Sequence, residues 1–159
     1  MVGSAGTDSH SIPGLRRVHL PVRPAWLAVI FVGGSAGTAV RAWLEGWLAP
    51  ATGHWPWVTL AINVGGALVL GALLEVLAET GSDRGWRRGV RLGVGTGVLG
   101  GFTTYSTFSV EILQLFRAGS WIFAVLYALC TVIGGLAAAY GASRLVRRAL
   151  RGWRARSSL

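Results

Sequence analysis

Residues 97–111 read GVLGGFTTYSTFSVE: two adjacent glycines, six hydroxyl side chains within seven positions, then a carboxylate, ending an otherwise uncharged run. Hydroxyls can bond back onto their own helix and stay inert. Two glycines beside Thr103, Thr104, Tyr105, Ser106, Thr107 and Ser109 instead favour a helix that breaks. Freed backbone carbonyls are ligands for a small cation. Two further polar residues stand in apolar runs. Asn63, within TLAINVGGALVLG, offers an amide that either cross-links helices or donates to an anion. Arg41 closes another apolar run, where its plain role is to snorkel to a polar interface. No Asp, Glu, Lys or His lies well inside a span, and His10, His19 and His54 fall in loops or the N-terminal segment. With no nucleophile beside a base, enzymatic chemistry and a histidine metal site have no support.

The elements that must position these residues are membrane helices. The 159 residues are 52% hydrophobic and 13% charged, about half the charged share of a soluble domain. Uncharged runs of 17, 29, 19 and 26 residues separate Arg23 from Arg41, Glu45 from Glu75, Arg91 from Glu111 and Arg117 from Arg144. A crossing helix needs about 20 apolar residues, so the chain has room for four spans near 25–45, 57–78, 91–116 and 121–143. The expected organisation is a disordered basic N-terminal segment (1–24), a four-helix membrane domain (25–145) and a basic cytoplasmic tail (146–159), unstructured from about residue 150. The first span resembles a signal peptide in its flanks, but three further spans favour an uncleaved helix. Cys130, the sole cysteine, has no partner in the chain and reads as a small buried hydrophobe.

Glycine spacing adds a packing prediction. Gly89, Gly93, Gly97 and Gly101 recur every four residues along one helical face. Gly33 and Gly37 repeat this spacing in the first span, and Gly135 with Ala139 in the fourth. Small residues at that interval let membrane helices approach closely. The match of Gly95, Gly97 and Gly100 to a dinucleotide-binding fingerprint is spurious: it follows the basic loop RGWRRGVR, and no acid lies 20 positions on.

The net charge of +9 comes from arginine alone, since the chain has no lysine. Thirteen of its 15 arginines fall in the N-terminal segment, the middle loop and the tail, which share one face when there are four spans; Arg41 and Arg117 remain for the other. The positive-inside rule places both termini in the cytoplasm. Because the arginines lie outside the spans, the basic balance points to topology rather than nucleic acid, though the tail can touch anionic lipid or RNA. The Arg-, Ala-, Gly- and Trp-rich usage suggests a GC-rich bacterium and its cell membrane.

The segments GGSAGTAVRAWL (33–44), TLAINVGGALVLGALL (59–74) and GVLGGFTTYSTFSVE (97–111) resemble the Fluc/CrcB family of fluoride channels across all four spans. That resemblance implies an all-α integral membrane protein of four transmembrane helices, the third broken near its middle, assembled as an antiparallel dimer. It implies a structural sodium ion at the dimer centre, held by the backbone carbonyls of Gly100 and Thr103. It places Asn63, Tyr105, Phe108, Tyr127 and Thr131 along the fluoride pathway, with Glu111 as the acidic residue after the signature. Thr104, Ser106, Thr107 and Arg41 stand as further candidates. Fluoride is small and strongly hydrated, so amide, hydroxyl and ring-edge donors must replace its water without trapping it. Tyr105 stands where phenylalanine is commoner, and Gly135 where the fourth-helix hydroxyl track would continue. The expected function is fluoride-specific passive efflux that lowers fluoride toxicity, and the alternative is a non-conducting partner subunit. A proton-coupled multidrug exporter needs a carboxylate within the first span, and Ala25–Val40 has none. The lopsided arginine count adds that the chain inserts in one orientation and pairs with an oppositely biased homologue.

Overall fold

A computed structural model describes residues 23–48 and 55–157. His10, His19, His54 and nearly all of the expected N-terminal segment lie outside those residues. Helix α1 (Pro24–Leu48) opens on a proline, whose fixed φ suits a first helical position. Helix α2 (Trp57–Thr80) stops at Gly81, which has a positive φ of 138°. A third helical segment then runs without interruption through α3 (Trp86–Val90), a π-helical stretch (Arg91–Leu99) and α4 (Gly100–Phe102). It breaks over 103–105 and resumes as α5 (Ser106–Arg117). Helix α6 (Trp121–Ser157) is the last of the described elements. The α5–α6 corner is tightened by two bonds: Gly119 N–H donates to the Phe116 carbonyl and Ser120 N–H to that of Leu115, at 3.0 and 2.9 Å. With Gly119 at φ 74°, these are the paired bonds of a Schellman stop.

Helices α1, α2 and α6 are each long and apolar enough to cross a membrane. The bundle is built as two close pairs, α1 with the π-helical stretch and α2 with α6. In the first pair the glycine stripe faces as its spacing predicts. A Cβ on Gly93 would meet the Val29 side chain, one on Gly97 the Gly33 Cα at 3.1 Å, and one on Gly101 the Gly34 carbonyl. The contact is reciprocal, since Gly33 and Gly37 lie against the backbone of Gly93 and Val98. In the second pair Gly71 lies on the Ala139 backbone, and Gly135 faces Ala67. Backbone-to-backbone approach of this kind replaces the hydrophobic drive that lipid cannot supply between helices.

Three expectations need correction. Cys130, read as a buried hydrophobe, is exposed on the outer face of α6. The break falls at Thr103–Tyr105, while Gly100 keeps right-handed helical angles (φ −65°, ψ −35°). Gly101 is a packing glycine, and the interruption belongs to the hydroxyl residues after it. The tail expected to lose structure near residue 150 continues α6 as helix to Ser157. Ion pairs hold this extension to the end of α2: Arg147 to Glu75 at 2.7 Å, and Arg154 to Glu79 at 2.9 Å. The expected domain boundary at residue 145 therefore lies inside one helix.

Gly37→Ala would set a methyl group against the Val98 backbone and should cost about 1–3 kcal/mol. Gly46→Ala, at a helical glycine with open space around it, should be neutral or gain up to about 1 kcal/mol. Thermal melting of both variants in detergent checks the contrast, and equal melting points would show that α1 does not approach the π-helical stretch this closely.

Candidate functional site

The site is built around the break. In a continuous helix the Thr104 N–H would go to the Gly100 carbonyl and the Thr107 N–H to the Thr103 carbonyl. Here Thr104 N–H donates to Asn63 Oδ1 at 2.8 Å, and Asn63 Nδ2 donates back to the Thr104 carbonyl at 3.0 Å. One amide thus satisfies both polar groups of one unwound residue. The Thr107 N–H instead donates to Thr104 Oγ1 at 3.1 Å, which caps the first turn of α5. The carbonyls of Gly100 and Thr103 thereby lose the donors an unbroken helix would supply. The Gly101 carbonyl is met from α1, by Arg41 Nε at 3.3 Å and Thr38 Oγ1 at 3.4 Å.

A polar cluster extends from this point. Arg41 pairs with Glu45 one turn along α1, with Nη1 to Oε2 at 3.1 Å. Glu45 Oε1 also accepts from Thr107 Oγ1 at 3.3 Å, and Thr107 in turn bonds Thr104, which contacts Ser106. Arg41 therefore points inward to the broken helix and is half-buried, which replaces its expected role of snorkelling outward. The partners Thr38 and Asn63 also locate the break. Thr38 lies just past the midpoint of α1 and Asn63 in the first half of α2, so the break sits slightly to the arginine-poor side of the bundle's centre.

On the α6 side the centre is Glu111. Its carboxylate accepts from Tyr127 Oη at 2.6 Å and from Thr59 Oγ1 at 2.7 Å. Tyr127 is fully buried and Thr59 is 2% exposed, so both donors are desolvated and their bonds to a charge are of the strong class. One turn further on, Thr131 Oγ1 donates to the Tyr127 carbonyl at 2.8 Å. An aromatic row links the two halves: Tyr127 to Phe108 at 5.3 Å between centroids, and Phe108 to Tyr105 at 6.1 Å. Trp55 stands edge-on to Tyr127 at 5.8 Å. Tyr105 ends the row at 81% exposure, turned out from this single chain.

The structure thus brings Asn63, Thr104, Ser106, Thr107 and Arg41 into one network, and Glu111, Tyr127, Thr131, Phe108 and Tyr105 into an adjoining row. Thr59, Glu45, Thr38 and Trp55 were absent from the sequence-derived set. Glu45 had a usable signal, being four residues after Arg41 on the same helical face. Thr59 and Trp55 had none, because their partners are 52 and 72 residues away in the chain.

Three unbroken apolar helices around a fourth that is interrupted by an amide-clamped turn make this a multi-pass membrane protein with its polar groups gathered inside the bundle. The profile of the CrcB-like protein (camphor resistance) family matches residues 28–143. The chain is 45% identical over 134 residues to fluoride-specific ion channel FluC 1 of Cutibacterium acnes, a match covering 84% of this chain and 93% of that one. It is 48% identical over 121 residues to fluoride-specific ion channel FluC 2 of Leifsonia xyli subsp. xyli, covering 76% and 81%. It is 36% identical over 148 residues to fluoride-specific ion channel FluC 1 of Streptomyces coelicolor, covering 89% and 94%. The chain belongs to the CrcB-like family.

Asn63→Ala would strand the Thr104 N–H and carbonyl inside the bundle, at about 1–3 kcal/mol for each group. Asn63→Asp keeps an acceptor for the N–H and loses the donor, so its melting point should lie between those of Asn63→Ala and the unaltered chain. An Asn63→Ala variant that melts with the unaltered chain would show that the amide does not hold the break.

Proposed function

We propose that this chain is a channel subunit, not an enzyme, that passes fluoride selectively and passively out of a bacterial cytoplasm and so limits fluoride toxicity. One observation carries the reading: the amide-clamped break of the third helical segment adjoins the aromatic row Tyr105–Phe108–Tyr127 inside a family whose relatives are fluoride-specific channels. Asn63 has two amide hydrogens; one is committed to Thr104, which leaves the other for an ion. Ring edges of Phe108 and Tyr105 add weak positive potential without a fixed charge. The Arg41 guanidinium is balanced by Glu45, and release of the anion requires that no unbalanced cation trap it. Tyr127 and Thr131 supply hydroxyls along α6, with their protons held by Glu111 and the Tyr127 carbonyl until an ion competes for them. An inside-negative potential drives one fluoride outward with about 2.3 kcal/mol per 100 mV.

The same reading places a structural sodium ion against the carbonyls of Gly100 and Thr103, whose helical donors have gone to Asn63 and Thr104. Gly100 is exposed, and a Cβ there would meet nothing within 4 Å, so a second subunit can approach to share the ion. The outward-facing Tyr105 suits the same arrangement, in which two subunits of opposite orientation complete both pathways. Arginine crowds the end of the bundle formed by the α2–α3 turn and the α6 extension, which supports cytoplasmic termini in the cell membrane. A chain so biased favours an oppositely biased homologue as its partner.

Liposomes holding this chain alone, read with a fluoride electrode against a chloride control, test the proposal. Fluoride-selective efflux is the expected result, either from the chain alone or after adding an oppositely biased homologue. Selective efflux that requires the homologue and survives Asn63→Ala and Phe108→Ala in this chain would instead mark a non-conducting partner; no selective flux in either preparation would overturn the channel. Exchange of sodium for N-methylglucamine throughout should lower the melting point and the flux, and unchanged values would remove the sodium ion from the account.

A further inference from the structure

At the arginine-rich end, where α2 turns into α3, lies a cavity of about 200 Å³ lined by Leu74, Leu77, Ala78, Gly81, Asp83, Arg87 and Arg91. It lies apart from the aromatic row and the break. Its walls have two kinds of chemistry. Leu74, Leu77 and Ala78 form an apolar wall on the last turns of α2, and Leu74 and Ala78 are open to the outside of the bundle. Arg87 and Arg91 supply the polar wall. Asp83 pairs with Arg91 in a bidentate bridge: Nε donates to Oδ1 at 3.0 Å and Nη2 to Oδ2 at 2.8 Å. The guanidinium holds the Asp83 carboxyl below its ordinary range, so the pair stays ionised and neutral overall.

Arg87 is different. Its Nη2 donates to the Thr80 carbonyl at 2.6 Å, and its guanidinium stacks over the exposed Trp86 ring at 5.1 Å. Its Nε is buried and meets no hydrogen-bond partner among the described residues. A buried donor without a partner costs free energy, and with Asp83 committed to Arg91 the lining offers Arg87 no carboxylate of its own, so its charge asks for an anion. Arg84 and Arg88 stand on the same turn and raise the local positive potential. Against water's share of about 30 Å³ in the liquid, the cavity has room for a phosphodiester group.

We propose that this cavity is a headgroup site for an anionic phospholipid, with the phosphate against Arg87 and the first methylenes along Leu74, Leu77 and Ala78. The apolar wall decides between a lipid and free phosphate, because an inorganic ion gains nothing from it. Trp86 beside the site is the kind of residue that sits at headgroup level. Clusters of arginine just beyond a membrane helix attract anionic lipid in general, and this cavity gives one such contact a defined place.

The test uses the whole chain purified in a neutral detergent and melted with dihexanoyl phosphatidylglycerol, dihexanoyl phosphatidylcholine or inorganic phosphate. Phosphatidylglycerol alone should raise the melting point in a saturable way. Arg87→Gln should weaken its apparent affinity about tenfold or more, while Arg148→Gln on the α6 extension should leave it unchanged. Ala78→Phe, which fills the cavity and keeps every arginine, should abolish the shift and covers the case in which Arg87→Gln does not fold. An equal shift from phosphatidylcholine or phosphate, or a full shift in Ala78→Phe, would overturn the site. Equal loss in Arg148→Gln and Arg87→Gln would reduce it to diffuse charge attraction and overturn it as well.

Discussion

A helix that breaks among apolar helices must find new partners for each N–H and carbonyl it releases, at several kcal/mol for every failure. The rest of this structure depends on how that demand is met at Thr104. Asn63 takes both polar groups of the residue, next to the extended backbone of Thr103 that ends α4. With Thr104 so held, its own hydroxyl is free to cap α5. The clamp therefore decides where the second half of the segment begins and which way its side chains face. Phe108 and Glu111 reach α6 because α5 starts where it does. A shift of the break by one residue would rotate every α5 side chain by about 100°, since successive helical positions are about a third of a turn apart.

The glycine seam serves the same demand from the other side. Gly33, Gly37, Gly97 and Gly101 bring two backbones close enough that side chains one turn on can bond across the gap. Thr38 and Arg41 use that closeness to reach the Gly101 carbonyl. Larger residues along the seam would hold α1 away and leave that carbonyl unmet in an apolar surround. Packing and polar satisfaction are thus one arrangement: small residues set the separation, and the separation sets which hydrogen bonds exist.

Much of this was legible in the sequence, and the exceptions have physical causes. Composition and uncharged run lengths located the helices because the bilayer fixes a minimum length. The four-residue glycine spacing located the α1 face because helical periodicity is geometric. The break was expected from the glycines and the hydroxyl residues together, and it lies on the hydroxyl residues Thr103–Tyr105 alone, with Gly100 and Gly101 still helical. Glycine in a helix has two roles, conformational freedom and close approach, and only the neighbouring helix selects between them. Asn63 was recognised as a buried amide, but its partner is 41 residues away, a pairing that no local pattern encodes. Glu111 similarly looked like a lone acid, and only the fold supplies its two hydroxyl donors. The helical α6 extension is not legible in the sequence because arginine density reads as disorder. Glu75 and Glu79 on another helix neutralise part of that charge and hold the segment in place.

That last pairing bears on how the molecule sits in a membrane. Glu75 and Glu79 are placed to hold arginines of α6, and Asp83 to hold Arg91. These three acids stabilise the arginine-rich end and do not cancel it, since the turn and extension still carry a clear excess of positive charge. Topology selection counts arginine near the span ends and gives acidic residues little weight. The ion pairs can therefore order this end without weakening the signal that orients it. At the opposite end Arg41 is drawn inward to the break and paired with Glu45, which removes it from any interfacial tally. The effective asymmetry is then larger than a residue count implies: one end is ordered and strongly basic, while the other keeps Arg117 as its remaining positive residue among the described ones.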